Sequence, residues 1–278
     1  MRLQGVRVAG HFGELLQGRI GPDGPVALVT LPCPVLGVSA RGFAARVFAI
    51  HGVGQRLLTP LRARALLDQL GLRISGRIVL RAEMPAGGGS GVSTAALVAL
   101  ARLAGWQGPP DLLARACVTV EGASDPLMFA QPETLLWASR LGETLALLPA
   151  LPAFEVIGGF YGPPKRTNPA DSDFPDISDL LPDWTAAAIA QDLPALATLA
   201  STSARRTLTK RGACQCEAGR DPIWSLAADL GSLGCVIAHT GAVRGLIFAP
   251  GTVPETARQT LQRAGLRGVV QFRAGGRT

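Results

Sequence analysis

EMPAGGGSGVSTAAL, residues 83–97, decides how this chain is read. A strand-like run closes at Ala82, four glycines follow at 87, 88, 89 and 91, and a nearly apolar helical run (STAALVALARLA) begins at Ser93. Glycines let a backbone approach a ligand closely, and a helix N-terminus offers unpaired N–H groups and a positive dipole end. The segment therefore suits an anion such as phosphate, and it equally suits a flexible turn capped by Ser93. It is not a Walker loop, since the only lysines are Lys165 and Lys210 and neither follows a glycine. It also lacks the G-x-G-x-x-G pattern, and no G-x-S-x-G hydrolase elbow occurs in the chain.

Working outward from this loop, three further segments carry polar groups on turns. VEGASDPLMF, residues 120–129, places Glu121 and Asp125 four apart around a turn at a helix end. Carboxylate oxygens are what Mg²⁺ requires, and a hydroxyl nucleophile benefits from a carboxylate base. GHFGELLQGRIGPDGPVALVTLPCPV, residues 10–35, holds Glu14 and Gln17 between glycines. HTGAVRG, residues 239–245, is a glycine-bearing turn between two apolar strands. Taken singly, each is also an ordinary turn or a solvated acidic pair.

The rest of the pattern predicts short strands over the first forty residues, with a hairpin turn at Gly18–Gly24 and a stop at Pro32 and Pro34. Strand character returns over Val35–Ile50, Ile74–Ala82, Phe154–Phe160, Gly234–His239, Gly245–Phe248 and Gly268–Phe272. Helices are expected at Pro60–Leu72, Ser93–Ala104, Asp111–Val120, about 183–207, Asp221–Leu230 and Pro254–Ala264, with a turn at Arg211–Arg220. Strands and helices do not alternate regularly, so the expected class is α+β rather than a doubly wound sheet. The pattern resets around residues 145–155, which suggests two parts, 1–150 and 151–278.

The 278 residues carry 27 Lys+Arg against 20 Asp+Glu, a net charge of +7. All but two of those cations are Arg, they are spread along the whole chain, and Tyr161 is the sole tyrosine. A nucleic-acid surface clusters its cations and interleaves stacking aromatics, so no nucleic-acid partner is expected. No run of about 20 apolar residues is present, which excludes a helical membrane span. The start has no apolar signal core, and a cytoplasmic location is expected. Cys33, Cys117, Cys214, Cys216 and Cys235 form no C-x-x-C, and the 214/216 pair has no nearby His, so reduced structural thiols are expected.

Taken together and in order, the four segments resemble the GHMP small-molecule kinase superfamily, and within it the L-threonine kinases of cobalamin synthesis and propanediol utilisation. GELLQG…VTLP (Gly13, Glu14, Gln17, Gly18, Thr30, Leu31, Pro32) is similar to that branch's first motif, and MPAGGGSGVSTAA to the superfamily's phosphate loop. The resemblance implies a ribosomal-S5-like N-terminal half and a ferredoxin-like C-terminal half. ATP phosphates would lie on Pro85, Ala86, Gly87, Gly88, Gly89, Ser90, Gly91, Ser93 and Thr94. Mg²⁺ would be held by Ser93 and Glu121, and Asp125 would orient or deprotonate the acceptor hydroxyl. Gly13, Glu14, Gln17, Thr30, Thr240 and Gly241 would contact the substrate, a hydroxy amino acid converted to its O-phospho ester. Homoserine is the alternative acceptor, and a nucleotide-binding pseudokinase the alternative of another class. The chain departs from the pattern in having Val92 for the first loop serine, Gly88 for a loop lysine, and one extra residue between Glu121 and Asp125. Arg244 is the first candidate for a substitute cation.

Overall fold

Two long antiparallel strands, β1 (Val6–Arg19) and β2 (Val26–Phe43), form the spine of the protein in a computed structural model that describes residues 5–211 and 221–276. Around them run β3 (Ala49–Gly52), α1 (Pro60–Gln69), β4 (Arg77–Ala82), α2 (Val92–Leu103), α3 (Pro110–Glu121), β5 (Leu135–Ala138) and β6 (Glu143–Leu147). Then follow β7 (Phe154–Phe160), α4 (Leu180–Ile189), α5 (Leu193–Arg211), α6 (Ile223–Asp229), β8 (Gly234–Ile237), β9 (Val243–Phe248), α7 (Ala257–Arg263) and β10 (Arg267–Ala274). The class is α+β, as the irregular order of elements implies.

The sheet runs in the order β10-β7-β9-β8-β1-β2-β4-β3, with β5 on β2 and β6 on β5. Elements before and after residue 150 therefore share one hydrogen-bonded surface, joined where Glu14 of β1 pairs with Ile237 of β8. Phe12 sits at this joint and packs edge-to-face on Phe160 and Phe272 from the later half. A candidate site residue thus stands at the seam between the two halves.

The prolines at 32 and 34 do not stop β2, contrary to expectation. Between Leu28 and Val38 only β1 pairs with β2, because β5 ends its pairing at Leu28 and β4 begins at Val38. A missing N–H on the unpaired side costs no ladder bond there, and β1 bulges at Ala9/Gly10, His11/Glu14 and Glu14/Leu16 absorb the irregularity. The helix expected over 183–207 is two helices, broken at Gln191, which takes a positive φ of 55°. Asp192 then accepts the Ala195 N–H and starts α5. β5 and β6 have no counterpart in the sequence reading. The turn expected at Arg211–Arg220, and Cys214 with Cys216, lie outside the described residues. Cys33, Cys117 and Cys235 are buried free thiols. Among the described residues no helix is long and apolar enough to cross a membrane.

α2 is the central core helix. Every residue from Val92 to Leu103 is buried except Ser93 and Arg102, which explains its almost unbroken apolar sequence. It packs on β1 and β2. α3 ends in a left-handed Gly122 (φ 76°), whose N–H returns to Val118 O. That reversal brings residues 123–125 back against the start of α2.

Candidate active site

The loop between β4 and α2 reaches the cleft without a side-chain cap. Gly91, left-handed at φ 68°, takes the N-cap position and, among the described residues, no side-chain cap bond forms there. Ser93 lies inside the first turn, so the capped-turn reading does not hold. Two glycines are required by close approach rather than by a ligand: a Cβ on Gly91 would stand 2.5 Å from the His11 ring, and one on Gly89 would stand 2.0 Å from Thr240 O. Ser90 is fully buried in the same loop, and its hydroxyl has no partner among the described residues.

The loop and α2 wall a cleft of about 250 Å³. His11, Glu14, Ser93, Thr94, Glu121 and Asp125 line it together, with Arg56, Arg62, Arg140, Lys165 and Arg166 as its cations. The Ser93 hydroxyl donates to Glu121 Oε1, and Arg62 Nη1 lies 3.3 Å from the same oxygen. Burial pushes the Glu121 carboxyl above its ordinary value, and the Ser93 hydrogen bond and Arg62 offset only part of this.

Asp125 behaves in the opposite way. Its backbone N–H donates to Thr94 Oγ1 at 3.2 Å and its Oδ2 receives that hydroxyl at 3.3 Å, so the first turn of α2 fixes both ends of the residue. The Trp137 indole donates to Ser124 O and Ser124 N–H to Ser139 O, which pins the preceding residue. His11 Nε2 stands 3.5 Å from Asp125 Oδ2, while His11 Nδ1 lies 3.4 Å from Glu14 Oε1 and 3.3 Å from Gly13 O. One imidazole thus bridges two carboxylates, a different nitrogen to each.

The charges follow from that bridge. Burial alone would discharge His11, but Asp125 and Glu14 outweigh it and raise its pKa to about 9. Burial pushes Glu14 up to about 8, against the pull of His11 and the Thr30 hydroxyl, with Asp125 adding to the rise. Burial also opposes ionisation of Asp125, yet the His11 charge and hydrogen bond and the Thr94 hydroxyl hold it below the ordinary carboxylate value. Burial thus favours the protonated form of Glu14, while the imidazolium of His11 and the carboxylate of Asp125 sustain one another. His11, Glu14 and Asp125 also offer three atoms close enough for a cation. His11 Nδ1 already bonds Gly13 O and Nε2 faces Asp125, so contacts within the protein account for the geometry without one.

The sequence-derived candidates divide. Glu14, Ala86, Gly87, Gly89, Ser90, Gly91, Ser93, Thr94, Glu121, Asp125 and Thr240 line the cleft. Pro85, Gly88, Gly13, Gln17, Thr30 and Gly241 do not. Gln17, expected at the substrate, donates through Nε2 to Ile237 O, and its backbone pairs with the Ser203 hydroxyl on α5. The bulges on both sides of Glu14 aim the two side chains at different neighbours. Thr30 stands across the ladder from Glu14, fully buried. Gly13 (φ 77°) and Gly241 (φ 106°) serve close backbone packing, the latter 2.6 Å in Cβ terms from Gly88 C and Gly89 N. Gly88 faces Phe160 and Pro85, and its carbonyl accepts the Ala242 and Val243 N–H groups, so no lysine fits there. Arg244 is not the substitute cation: it is buried, with Nε 2.7 Å from Asp221 Oδ2, and it does not line the cleft. Sequence reading missed His11, although it stands three residues before Glu14 in the same glycine-flanked segment. It also missed Arg140, Lys165 and Arg166, for which no local motif gives a signal.

No protein-family model and no curated protein matches the chain. Solved structures do. The homoserine kinase of Cytophaga hutchinsonii superposes with a TM-score of 0.61 at 15% identity, over 97% of this chain and 94% of that one. L. major mevalonate kinase in complex with R-mevalonate gives 0.62 at 13% identity, over 99% and 95%. A 4-(cytidine 5'-diphospho)-2C-methyl-D-erythritol kinase gives 0.61 at 20% identity, over 99% and 100%. At full coverage these likenesses establish the fold, which is that of the GHMP kinases.

Proposed function

We propose that this protein is an ATP-dependent phosphotransferase acting on the hydroxyl of a small amino-acid acceptor, L-threonine in first place and homoserine next. One observation carries the reading. Asp125, held ionised by buried His11, is 24% open to the cleft and is hydrogen-bonded to the first turn of an uncapped helix. A base for a hydroxyl and a seat for phosphate therefore meet on one turn of α2.

In this reading the open N–H groups of α2, the Gly87–Gly91 backbone and the orphan Ser90 hydroxyl receive the polyphosphate. The acceptor hydroxyl oxygen forms the new bond to the terminal phosphorus, the bond from that phosphorus to the bridging oxygen breaks, and ADP leaves. The hydroxyl proton passes to Asp125, whose depressed pKa keeps it free to receive one. Glu121 and Ser93 present hard oxygen donors side by side, and a cation would offset the burial that raises the Glu121 pKa, so the pair suits Mg²⁺. Bound there, Mg²⁺ would neutralise phosphate charge. Positioning and charge neutralisation are the main requirements of phosphoryl transfer, and both lie in this cleft.

Threonine is favoured by the N-terminal GELLQG…VTLP segment, in which Glu14 is cleft-lining and buried beside His11. The product would be O-phospho-L-threonine, which fits the aminopropanol arm of cobalamin assembly. Homoserine is supported by the likeness to a homoserine kinase. The test is a panel of L-threonine, L-serine and L-homoserine with labelled ATP. Transfer to threonine above the others supports the reading, and preference for homoserine replaces the acceptor. Nucleotide binding with no transfer to any of them leaves a binding protein and overturns the enzyme.

A further inference from the structure

The loop Pro85–Thr94 carries no cation of its own, and Gly88 and the neighbouring turn are packed too closely to admit one. Of the cleft's cations, Arg62 is paired with Glu121, and Arg140 donates to the Ser139 hydroxyl, its Nε and Nη2 buried without a partner among the described residues. Besides Arg56, which follows the Gln55 that bonds Met84 O and the Ala86 N–H, the cations beside the phosphate loop come from the segment joining β7 to α4, residues 161–179. That segment crosses the mouth of the cleft and is tied down along its length. Lys165 N–H donates to Gly87 O at 2.8 Å, and the Thr167 and Thr240 hydroxyls meet at 2.7 Å. Phe174 stacks on His239 at 4.0 Å, and Asp179 pairs with Arg206 at 2.6 Å.

The consequence is geometric. The Lys165 backbone is hydrogen-bonded to the first glycine of the loop, and a Cβ on Gly87 would meet Pro164 and the Lys165 backbone at 3.3–3.4 Å. Lys165 and Arg166 are exposed, and both line the same cleft as Ser90, Ser93 and Thr94. Lys165 makes no ion pair among the described residues, and Arg166 is near enough to Glu121 to lower its pKa against burial. An exposed lysine and arginine held beside an uncapped helix start and an orphan buried hydroxyl are complementary to a multiply charged anion.

We propose that Lys165 and Arg166 contact the terminal phosphate of ATP from the strap 161–179, supplying from outside the loop the cations that the loop lacks. This rests on the phosphotransferase reading and adds the part of the nucleotide that the strap recognises. A compact ammonium acts as a point charge and a guanidinium as a fork, and both suit a phosphate that gains charge as it transfers. The strap is also what would hold the terminal phosphate while the Gly87–Gly91 backbone holds the rest.

The test is calorimetric binding of MgATP and MgADP to the full-length protein and to Lys165→Met, Arg166→Met and the double variant. A charged hydrogen bond lost from the terminal phosphate is worth roughly 10–100-fold in affinity. The ATP-over-ADP preference should fall by about that factor in the double variant, while ADP affinity holds. Lys165→Arg should keep most of the preference, which a merely structural role for the aliphatic stem would not require. An unchanged ATP/ADP ratio in the double variant overturns this proposal and leaves the phosphotransferase standing. Wild-type protein that binds neither nucleotide overturns both.

Discussion

Glu121 and Asp125 lie four residues apart and line one cleft, yet their surroundings push them in opposite directions. Burial disfavours charge on both. Glu121 is offset by a serine hydroxyl and by Arg62, whose side chain is 47% exposed and therefore screened by water. Asp125 is offset by His11, whose side chain is 4% exposed, and by two contacts to Thr94. The depth of the partner decides the outcome, because a charge interacts far more strongly where solvent is excluded. Two carboxylates so separated can take different work, one awaiting a cation and the other a proton.

The largest effect that would break this comparison is expected from Asp125→Asn. It keeps the shape and the Thr94 contact but removes the proposed proton acceptor, so kcat should fall by roughly 10²–10⁴-fold. ATP binding, measured without acceptor, should stay close to wild type. A variant with wild-type kcat would show that the residue held down by His11 is not the base.

A smaller effect is expected from Glu121→Gln. Substitution should raise the Mg²⁺ concentration needed for half-maximal rate by roughly 10–100-fold, the scale seen when a carboxylate supporting a metal is lost. Saturating Mg²⁺ should restore much of the rate, which it should not do for Asp125→Asn. Identical behaviour of the two variants across a Mg²⁺ titration would erase the distinction between the two acids.

Much of this site was legible in the sequence, and the reason is local. The glycine loop, α2 and the Gly122 reversal are each specified by residues next to one another, so Ser93, Thr94, Glu121 and Asp125 came out together in one cleft. Phe154–Phe160, a fully buried strand, was read to the residue because its apolar run is bounded on both sides. What failed depends on distant parts of the chain. Pro32 and Pro34 read as a stop because nothing local says that β2 is paired there on one side alone. Arg244 stood beside a motif, and only the fold reveals Asp221 as its partner. Gln17 belonged to the motif that named it, and only the bulges around Glu14 show that it turns toward β8 and α5. His11 escaped for the same reason: its meaning lies in Asp125, more than a hundred residues away, and in Glu14 on the far side of its own ring.

His11→Asn offers the finest test, since it removes the bridge and keeps both acids. The rate should fall modestly, about tenfold, as expected for one charged contact to the proposed base. The pH profile is more telling. His11 is raised from 6.5 to about 9 in the folded protein, so its contribution is complete below pH 6.5 and is lost as pH climbs through about 9. Asp125 is lowered, so its contribution is present above the ordinary carboxylate value and is lost only as pH falls through its depressed one. Wild-type kcat/KM should therefore decline on the alkaline side near pH 9. Thermal stability should fall earlier, from about pH 4.5 to about 8 as buried Glu14 ionises, and further through about 9 as His11 discharges. In His11→Asn the alkaline decline attributed to the imidazolium should vanish, and the acid limb should move to higher pH because Asp125 loses the charge that held it down. A variant that merely disturbed packing would lower the rate without moving either limb, and that result would return His11 to the role of a core side chain.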